Sequence, residues 1–441
     1  MSAENGIICL RGGRPLRGEV ALTGAKNAVP KHMVAALLTD EPCKLFNVPG
    51  IEDIEIMSRI IKLLGGRIEQ AGEKALSITA SRISLPNSHK LLDFSGKSRI
   101  PVLLCGPMLA RIGRAVLPAP GGCNIGPRPI DFHLKALEQL GAKVTARQDG
   151  YLLTANRLEG AKICLDYPSV GATEQVILAS VMADGLTELS NAAIEPEIID
   201  LIALLQKMGA IISVSTERII RIRGVKKLSG FQHHAIPDRL EAASWACAAV
   251  ATNGRIMVKG ARQLDLLTFL NKFRRVGGEF QVTDEGIEFF RGQEKLSSIS
   301  IETDVHPGFM TDWQPPFVIM LTQAEGVSIL HETVYESRFG YVEALNQMGA
   351  KIQLYNECLG GRDCRFAQQN YRHSAAIFGP TSLTGQHIVI PDLRAGFSYI
   401  IAAATAEGES RIDNFNVLER GYENFLDKLI SLGAQVTSCE G

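Results

Sequence analysis

The chain has 441 residues, with 46 Lys+Arg against 47 Asp+Glu and a formal net charge of −1. That length exceeds one ordinary hydrophobic core, so two or more domains are expected. The even charge excludes a general attraction to nucleic acid or an anionic membrane, and an anionic ligand would have to be held by local cations.

At the N-terminus, Met1-Ser-Ala-Glu-Asn-Gly6 has neither a basic n-region nor a long apolar stretch, and does not read as a secretory signal. Apolar runs such as 242–251 and 399–406 are too short to span a bilayer. Nine scattered cysteines without a CxxC pair suit a reducing cytoplasm, where most thiols are small buried hydrophobes, and no metal site is expected. The glycine pair between Arg11 and Arg14 reads as a tight turn.

Gly24-Ala-Lys-Asn27 precedes an apolar helical run from Ala28 to Leu38. Lys26 and Asn27 at a helix entrance suit an anion, although a lysine there is more often only solvated.

From residue 60 onward one phrase recurs: an apolar helix tail, Gly-Ala or Gly-Gly, then an alternating strand. Its first glycines are Gly65, Gly141, Gly209, Gly277, Gly349 and Gly433, spaced between 68 and 84 residues apart. A helix ending at a left-handed glycine and reversing into a strand accounts for each copy. Six copies predict an α/β (α+β) protein of six small modules, naturally divided as two domains of three.

Between Leu117 and Asp131, four prolines and three glycines in 15 residues predict a loop rather than a helix or a central strand. Cys123 lies near its centre, with Arg128 five residues on. An exposed thiol near arginines has a lowered pKa and can serve as acid or nucleophile; an incidental thiol in a turn fits the composition equally well. Farther along, Asp312 in Thr311-Asp-Trp-Gln-Pro-Pro reads as a base or hydrogen-bond anchor, with a helix N-cap the simplest role. Arg394 in Asp392-Leu-Arg-Ala395 and Arg420 in Glu419-Arg-Gly-Tyr-Glu423 sit at strand-to-helix junctions, where a guanidinium fork can bind phosphate or carboxylate. No P-loop, GxGxxG fingerprint or HExxH motif is present.

Together, Gly24-Ala-Lys-Asn27, Pro120-Gly-Gly-Cys-Asn-Ile-Gly-Pro-Arg-Pro-Ile-Asp131, Ser169-Val-Gly-Ala-Thr173, Pro237-Asp-Arg239, Thr311-Asp312, Glu332-Thr-Val334, Asp392-Leu-Arg-Ala395 and Arg420-Gly-Tyr-Glu423 resemble the UDP-N-acetylglucosamine 1-carboxyvinyltransferases, over nearly the whole chain. The related enzyme of aromatic amino-acid synthesis shares the six-unit fold but lacks the cysteine loop. The resemblance implies an inside-out α/β barrel of two domains, each with three βαβαββ-type units. It implies residues 26–236 as an inserted domain carrying the Cys123 loop, 1–25 plus 237–441 as the second, and an active site in the cleft between them.

The reaction it implies moves the enolpyruvyl group of phosphoenolpyruvate to the 3′-hydroxyl of UDP-N-acetylglucosamine and releases phosphate, an early step of peptidoglycan synthesis, without metal or organic cofactor. By resemblance Cys123 is the acid and Asp312 the base. Lys26, Asn27, Arg128, Arg394 and Arg420 would line the phosphoenolpyruvate site. Arg99, Arg128, Pro129, Ile130, Asp131, Phe132, Tyr167, Pro168, Ser169, Val170, Asp312 and Val334 would meet the UDP-sugar. Small-molecule substrates are the only partners implied, with no nucleic acid and no membrane.

Three departures stand out. Glu52 and Tyr167 occupy positions where some members carry lysine, and Asn356–Pro380 is longer than usual and reads as a solvated surface elaboration. Two alternatives stay open: a paralogous enolpyruvyl transferase acting on another nucleotide, and, given Glu52 and Tyr167, a non-catalytic regulator that binds a UDP-sugar.

Overall fold

Each of the six helix–glycine joins ends a helix and reverses the chain. The helices Glu52–Leu63, Asp131–Gln139, Pro196–Lys207, Leu267–Val276, Val342–Gln347 and Phe425–Ser431 run into glycines with φ between +88° and +110°. In the first, Gly66 N donates to Ile61 O at 2.9 Å; Ala142, Ala210 and Ala350 repeat the bond at 3.0 Å. This satisfies carbonyls that the helix end leaves open, and only glycine adopts that φ at little cost. The strands Arg67–Gly72, Lys143–Arg147, Ile211–Val214, Gly278–Val282, Lys351–Tyr355 and Gln435–Thr437 follow.

The computed structural model describes residues 6–85, 91, 94, 100–118, 130–361 and 364–437. These divide into two compact units, one of residues 6–23 and 237–437, the other lying within 24–236. Among the described residues the first unit holds three sheets and the second holds three. In most of them a parallel strand pair adjoins an antiparallel hairpin. Lys162–Cys164 runs parallel to Leu186–Ser190, which pairs antiparallel with Ile220–Arg223 and through it with Ile211–Val214. With the helices Val170–Ser180 and Pro196–Lys207 between the strands, the order is βαβαββ, as expected. In the first unit Arg17–Ala21 pairs parallel with Arg255–Lys259, so one sheet joins chain from both sides of the intervening unit.

Within each unit the helices are inside. In the first, Arg239–Ala251, Gln314–Thr322 and Leu393–Thr405 pack on one another, and every residue of the first two is buried. In the second, Cys105–Ile112 packs against Val170–Ser180. Those first two are apolar nearly all round because they have no solvent face. The sheets surround them, with patterns such as eBiB along Arg255–Val258. Burying a helix on every side forces the few polar groups it carries to find partners within the unit. Glu241 accepts from Trp245 Nε1 at 3.0 Å and from Lys428 Nζ at 2.6 Å, and burial raises its carboxyl above the ordinary value while Lys428 pulls it down. Glu241→Ala leaves a buried ammonium and an indole N–H without their acceptor, so a loss of about 3–5 kcal/mol is expected in urea unfolding. A change under about 1 kcal/mol would show that Lys428 reaches water instead.

Several expectations change in detail. The run from Ala28 to Leu38 is an α-helix over Val29–Ala35 and a 3₁₀ turn over Ala36–Leu38. Leu117 and Pro118 are not loop: they end the strand Arg114–Pro118, and Pro118 is tolerated because this is an edge strand. The segment after Asn356 is not simply solvated, since Phe366 is 1% exposed and His373 fully buried. Cys9 departs from the expectation of free thiols and is disulfide-bonded. No helix among the described residues is long and apolar enough to cross a membrane.

Candidate active site

In the second unit the turn at Gly24–Asn27 is held from below. A Cβ on Gly24 would lie 2.0 Å from Asn47 O, so only glycine lets the turn approach that strand end. Lys26 pairs with the buried carboxylate of Asp53. Asp53 and Glu52 open the helix Glu52–Leu63, whose first turn is acidic, as the helix dipole favours. Glu52 therefore serves that helix start, and the neighbouring Asp53 meets Lys26. Lys31 donates to Asn27 O and lies 3.4 Å from Glu174, which burial pushes up to about 7 despite Lys31.

Glu174 belongs to Val170–Ser180, so this bridge joins the Lys26–Asn27 turn to the 167–170 run. Ser169 caps that helix, accepting from Ala172 N at 3.3 Å. Beside it starts the helix Asp131–Gln139: a Cβ on Gly171 would stand 3.1 Å from the His133 ring. Ile130, Asp131 and Phe132 thus share a neighbourhood with Tyr167, Pro168, Ser169 and Val170, two helix N-termini side by side. The N–H groups of a helix's first turn suit an anionic or polar ligand. Arg99, Cys123, Arg128 and Pro129 lie outside the described residues.

In the first unit Asp312 is not an N-cap. It sits in the 3₁₀ turn Thr311–Trp313, and Arg338 Nη2 donates to its Oδ1 at 2.6 Å. Burial alone would lower the Arg338 guanidinium; Asp312, Glu332 and Asp392 raise it, so it stays a cation. Glu332 is fully buried, and its Oε2 accepts from Thr311 Oγ1 at 2.9 Å. Its Oε1 accepts the N–H groups of Val334 and Tyr335 at 2.8 and 3.1 Å. Burial raises the Glu332 carboxyl, and Arg338 with these donors opposes that rise. One carboxylate thus fixes both the Asp312 turn and the Val334 turn.

Arg420 ends the turn Phe415–Arg420, and Arg394 lies in the first turn of Leu393–Thr405, where Ala395 N donates to Asp392 Oδ1 at 3.1 Å. A Cβ on Gly396 would come within 2.8 Å of Leu418, so that glycine lets the two turns close on each other. Sequence reasoning missed Asp53, Lys31 and Arg338 as supports. Each is separated in sequence from what it holds, and only Asp53 left a signal, as part of an acidic helix start.

Among the described residues two clusters bring potential metal-binding atoms within 4.8 Å of one another. Asp200 links one of them: its Oδ1 bonds His233 Nε2 at 3.1 Å, its Oδ2 accepts from Ile236 N, and Lys207 lies 3.1 Å from His233 Nδ1. An ammonium at that ring argues for a closed polar network rather than a cation site. The third member, His32, is 3.3 Å from Asp200 without hydrogen-bond geometry. Burial lowers its pKa from 6.5 to about 3, outweighing Asp200. Below pH 6.5 the unfolded chain takes up a proton that folded His32 refuses. Stability is therefore complete above 6.5 and is lost as pH falls toward 3, by about 2 kcal/mol at pH 5. Urea midpoints at pH 7.5 and 5 check this; in His32→Gln the fall should shrink.

The model of the EPSP synthase (3-phosphoshikimate 1-carboxyvinyltransferase) family matches residues 10–429. A UDP-N-acetylglucosamine 1-carboxyvinyltransferase of Protochlamydia amoebophila is 49% identical, over 98% of this chain and 94% of that one. That of Chlamydia abortus is 48% identical over 96% of each. Among solved structures, the enolpyruvyl transferase NikO of Streptomyces tendae superposes with a TM-score of 0.86 at 23% identity, covering 98% of this chain and 99% of that one. An EPSP synthase of Acinetobacter baumannii gives 0.74 at 18%, with the same coverage.

Proposed function

The chain belongs to the EPSP synthase family, and on that premise we propose that it transfers the enolpyruvyl group of phosphoenolpyruvate to the 3′-hydroxyl of UDP-N-acetylglucosamine, releasing phosphate for peptidoglycan synthesis. The observation that carries this reading is 48–49% identity over nearly the full length to enzymes named for that reaction.

The chemistry is addition followed by elimination. The sugar hydroxyl adds to C2 of phosphoenolpyruvate as C3 takes a proton; the tetrahedral ketal then loses phosphate and a C3 proton. Cys123 delivers the proton to C3. Asp312 accepts the hydroxyl proton, a role supported by the Arg338 bond that orients its carboxylate. Lys26, Arg128, Arg394 and Arg420, with Asn27, hold the phosphate and carboxylate; fixed cations of this kind stabilise charge as it develops. Arg99, the 128–132 run, 167–170 and Val334 receive the UDP-sugar, supported by the adjacent helix N-termini and by the Glu332 clamp. Lysine is missing at 52 and 167, so Lys26 and the arginines carry the anion binding.

The test is phosphate release from phosphoenolpyruvate by purified protein, with and without UDP-N-acetylglucosamine. Release that needs both, with the enolpyruvyl sugar nucleotide seen by mass spectrometry, supports the reading. UDP-sugar binding without release would favour a regulator, and release with a different acceptor a paralogue.

A further inference from the structure

The strand Ala324–His331 ends beside Ser374, its partner in the strand Ser374–Gly379. Between that strand and Lys351–Tyr355 the chain leaves the sheet and returns, with His373 N bonded to Tyr355 O at 3.0 Å. This excursion brings Cys358, Cys364 and His373 to His331. Ligand atoms of all four lie within 4.8 Å of one another.

Two of the spacings are those of a metal tetrahedron. Cys358 Sγ is 3.7 Å from Cys364 Sγ and 3.3 Å from His373 Nε2. A disulfide needs about 2.05 Å between sulfurs. Zinc with bonds of about 2.3 Å to sulfur and 2.0–2.1 Å to nitrogen needs edges of about 3.3–3.8 Å.

The surroundings are prepared as well. His331 Nδ1 bonds Glu302 Oε2 at 2.9 Å, and His373 Nδ1 bonds Tyr371 O at 2.8 Å. Each imidazole thus has its other nitrogen for the ion, oriented by a carboxylate or a carbonyl. His331 Nε2 is fully buried and makes no hydrogen bond. Two backbone N–H groups point at the sulfurs, Cys364 N at Cys358 and Phe366 N at Cys364, at 3.5 and 3.4 Å. At Gly360 a Cβ would fall 2.1 Å from His331 Nδ1, so glycine lets the chain wrap over that pair.

We propose that His331, Cys358, Cys364 and His373 bind a structural zinc ion. Four protein ligands close the coordination shell, and two thiolates with two imidazoles favour zinc over hard cations. The ion anchors the excursion next to the candidate UDP-sugar contact. Arg365 of this segment bonds Val334 O and pairs with Glu336 at 3.5 Å, while Glu332 N bonds His373 O at 2.7 Å. The link to Val334 rests on the transferase reading; the metal site does not.

The test is metal analysis of full-length protein purified without a histidine tag or chelator. About one zinc per chain is expected, falling at least tenfold in Cys358→Ser/Cys364→Ser. Because that variant can unfold, cobalt exchange into the native protein is the second arm, with the visible spectrum of tetrahedral thiolate-bound cobalt expected. Zinc below about 0.1 per chain, both as purified and after dialysis against zinc, without a cobalt spectrum, overturns the proposal. So does zinc retained by a folded double variant. Neither readout depends on enolpyruvyl transfer.

Discussion

Cys123→Ala is expected to lower phosphate release by about 10²–10⁴-fold, the usual worth of a positioned acid, while UDP-N-acetylglucosamine still binds. The proton for C3 must come from a group that begins protonated and is strong enough to give it up. A thiol in a glycine- and proline-rich loop with Arg128 five residues on in the chain can meet both demands, since a cation close to a thiol lowers its pKa toward working pH. The activity of the parent protein should therefore fall at high pH as the thiol ionises, and the residual activity of the variant should lose that limb. The same thiol should react with the epoxide fosfomycin when UDP-N-acetylglucosamine is present. Mass spectrometry should then place one adduct on the Cys123 peptide and none on the alanine variant. Unchanged turnover in Cys123→Ala, or full activity after prolonged fosfomycin exposure, would remove Cys123 from the mechanism.

Asp312→Asn should lower kcat by about 10²–10⁴-fold with little change in KM, since the amide keeps the shape and loses the proposed base. It also leaves Arg338 facing a neutral group, but Glu332 and Asp392 still act on that guanidinium. Arg338→Ala is expected to behave differently. Its side chain is 2% exposed, and removing it uncouples Asp312 and leaves Glu332 buried without its cation. A loss of about 3–5 kcal/mol of stability should accompany the loss of rate. Urea unfolding beside steady-state kinetics separates the two. If Asp312→Asn keeps its kcat, the proton leaves by another route.

The fold was largely legible in the chain. Six glycines at even intervals announced six joins, and all six take positive φ at helix ends. The periodicity of each helix and the alternation of each strand depend on residues three or four apart, or two apart, so the linear order records them. That the second unit interrupts the first was implied only by resemblance, because the pairing of Arg17–Ala21 with Arg255–Lys259 bridges more than two hundred residues that carry no local trace of it.

The candidate site was legible in its chemical types and not in its partners. Lys26 and Asp312 stood out in their phrases, and Ser169 and Val334 entered only through the resemblance. That Lys26 meets Asp53, that Asp312 takes a guanidinium 26 residues away instead of capping a helix, and that Glu332 ties two turns together could not. The four zinc ligands make the same point. His331 ends one strand, His373 precedes another, and the cysteines are six residues apart in an excursion that composition alone assigned to solvent. Short-range sterics and hydrogen bonding act between neighbours in the chain, so helices, turns and their ends are written there. The choice of partner for a buried charge or lone pair is made by which groups lose water together. Only packing brings Asp312 to Arg338, and His331 to His373 and the two thiols.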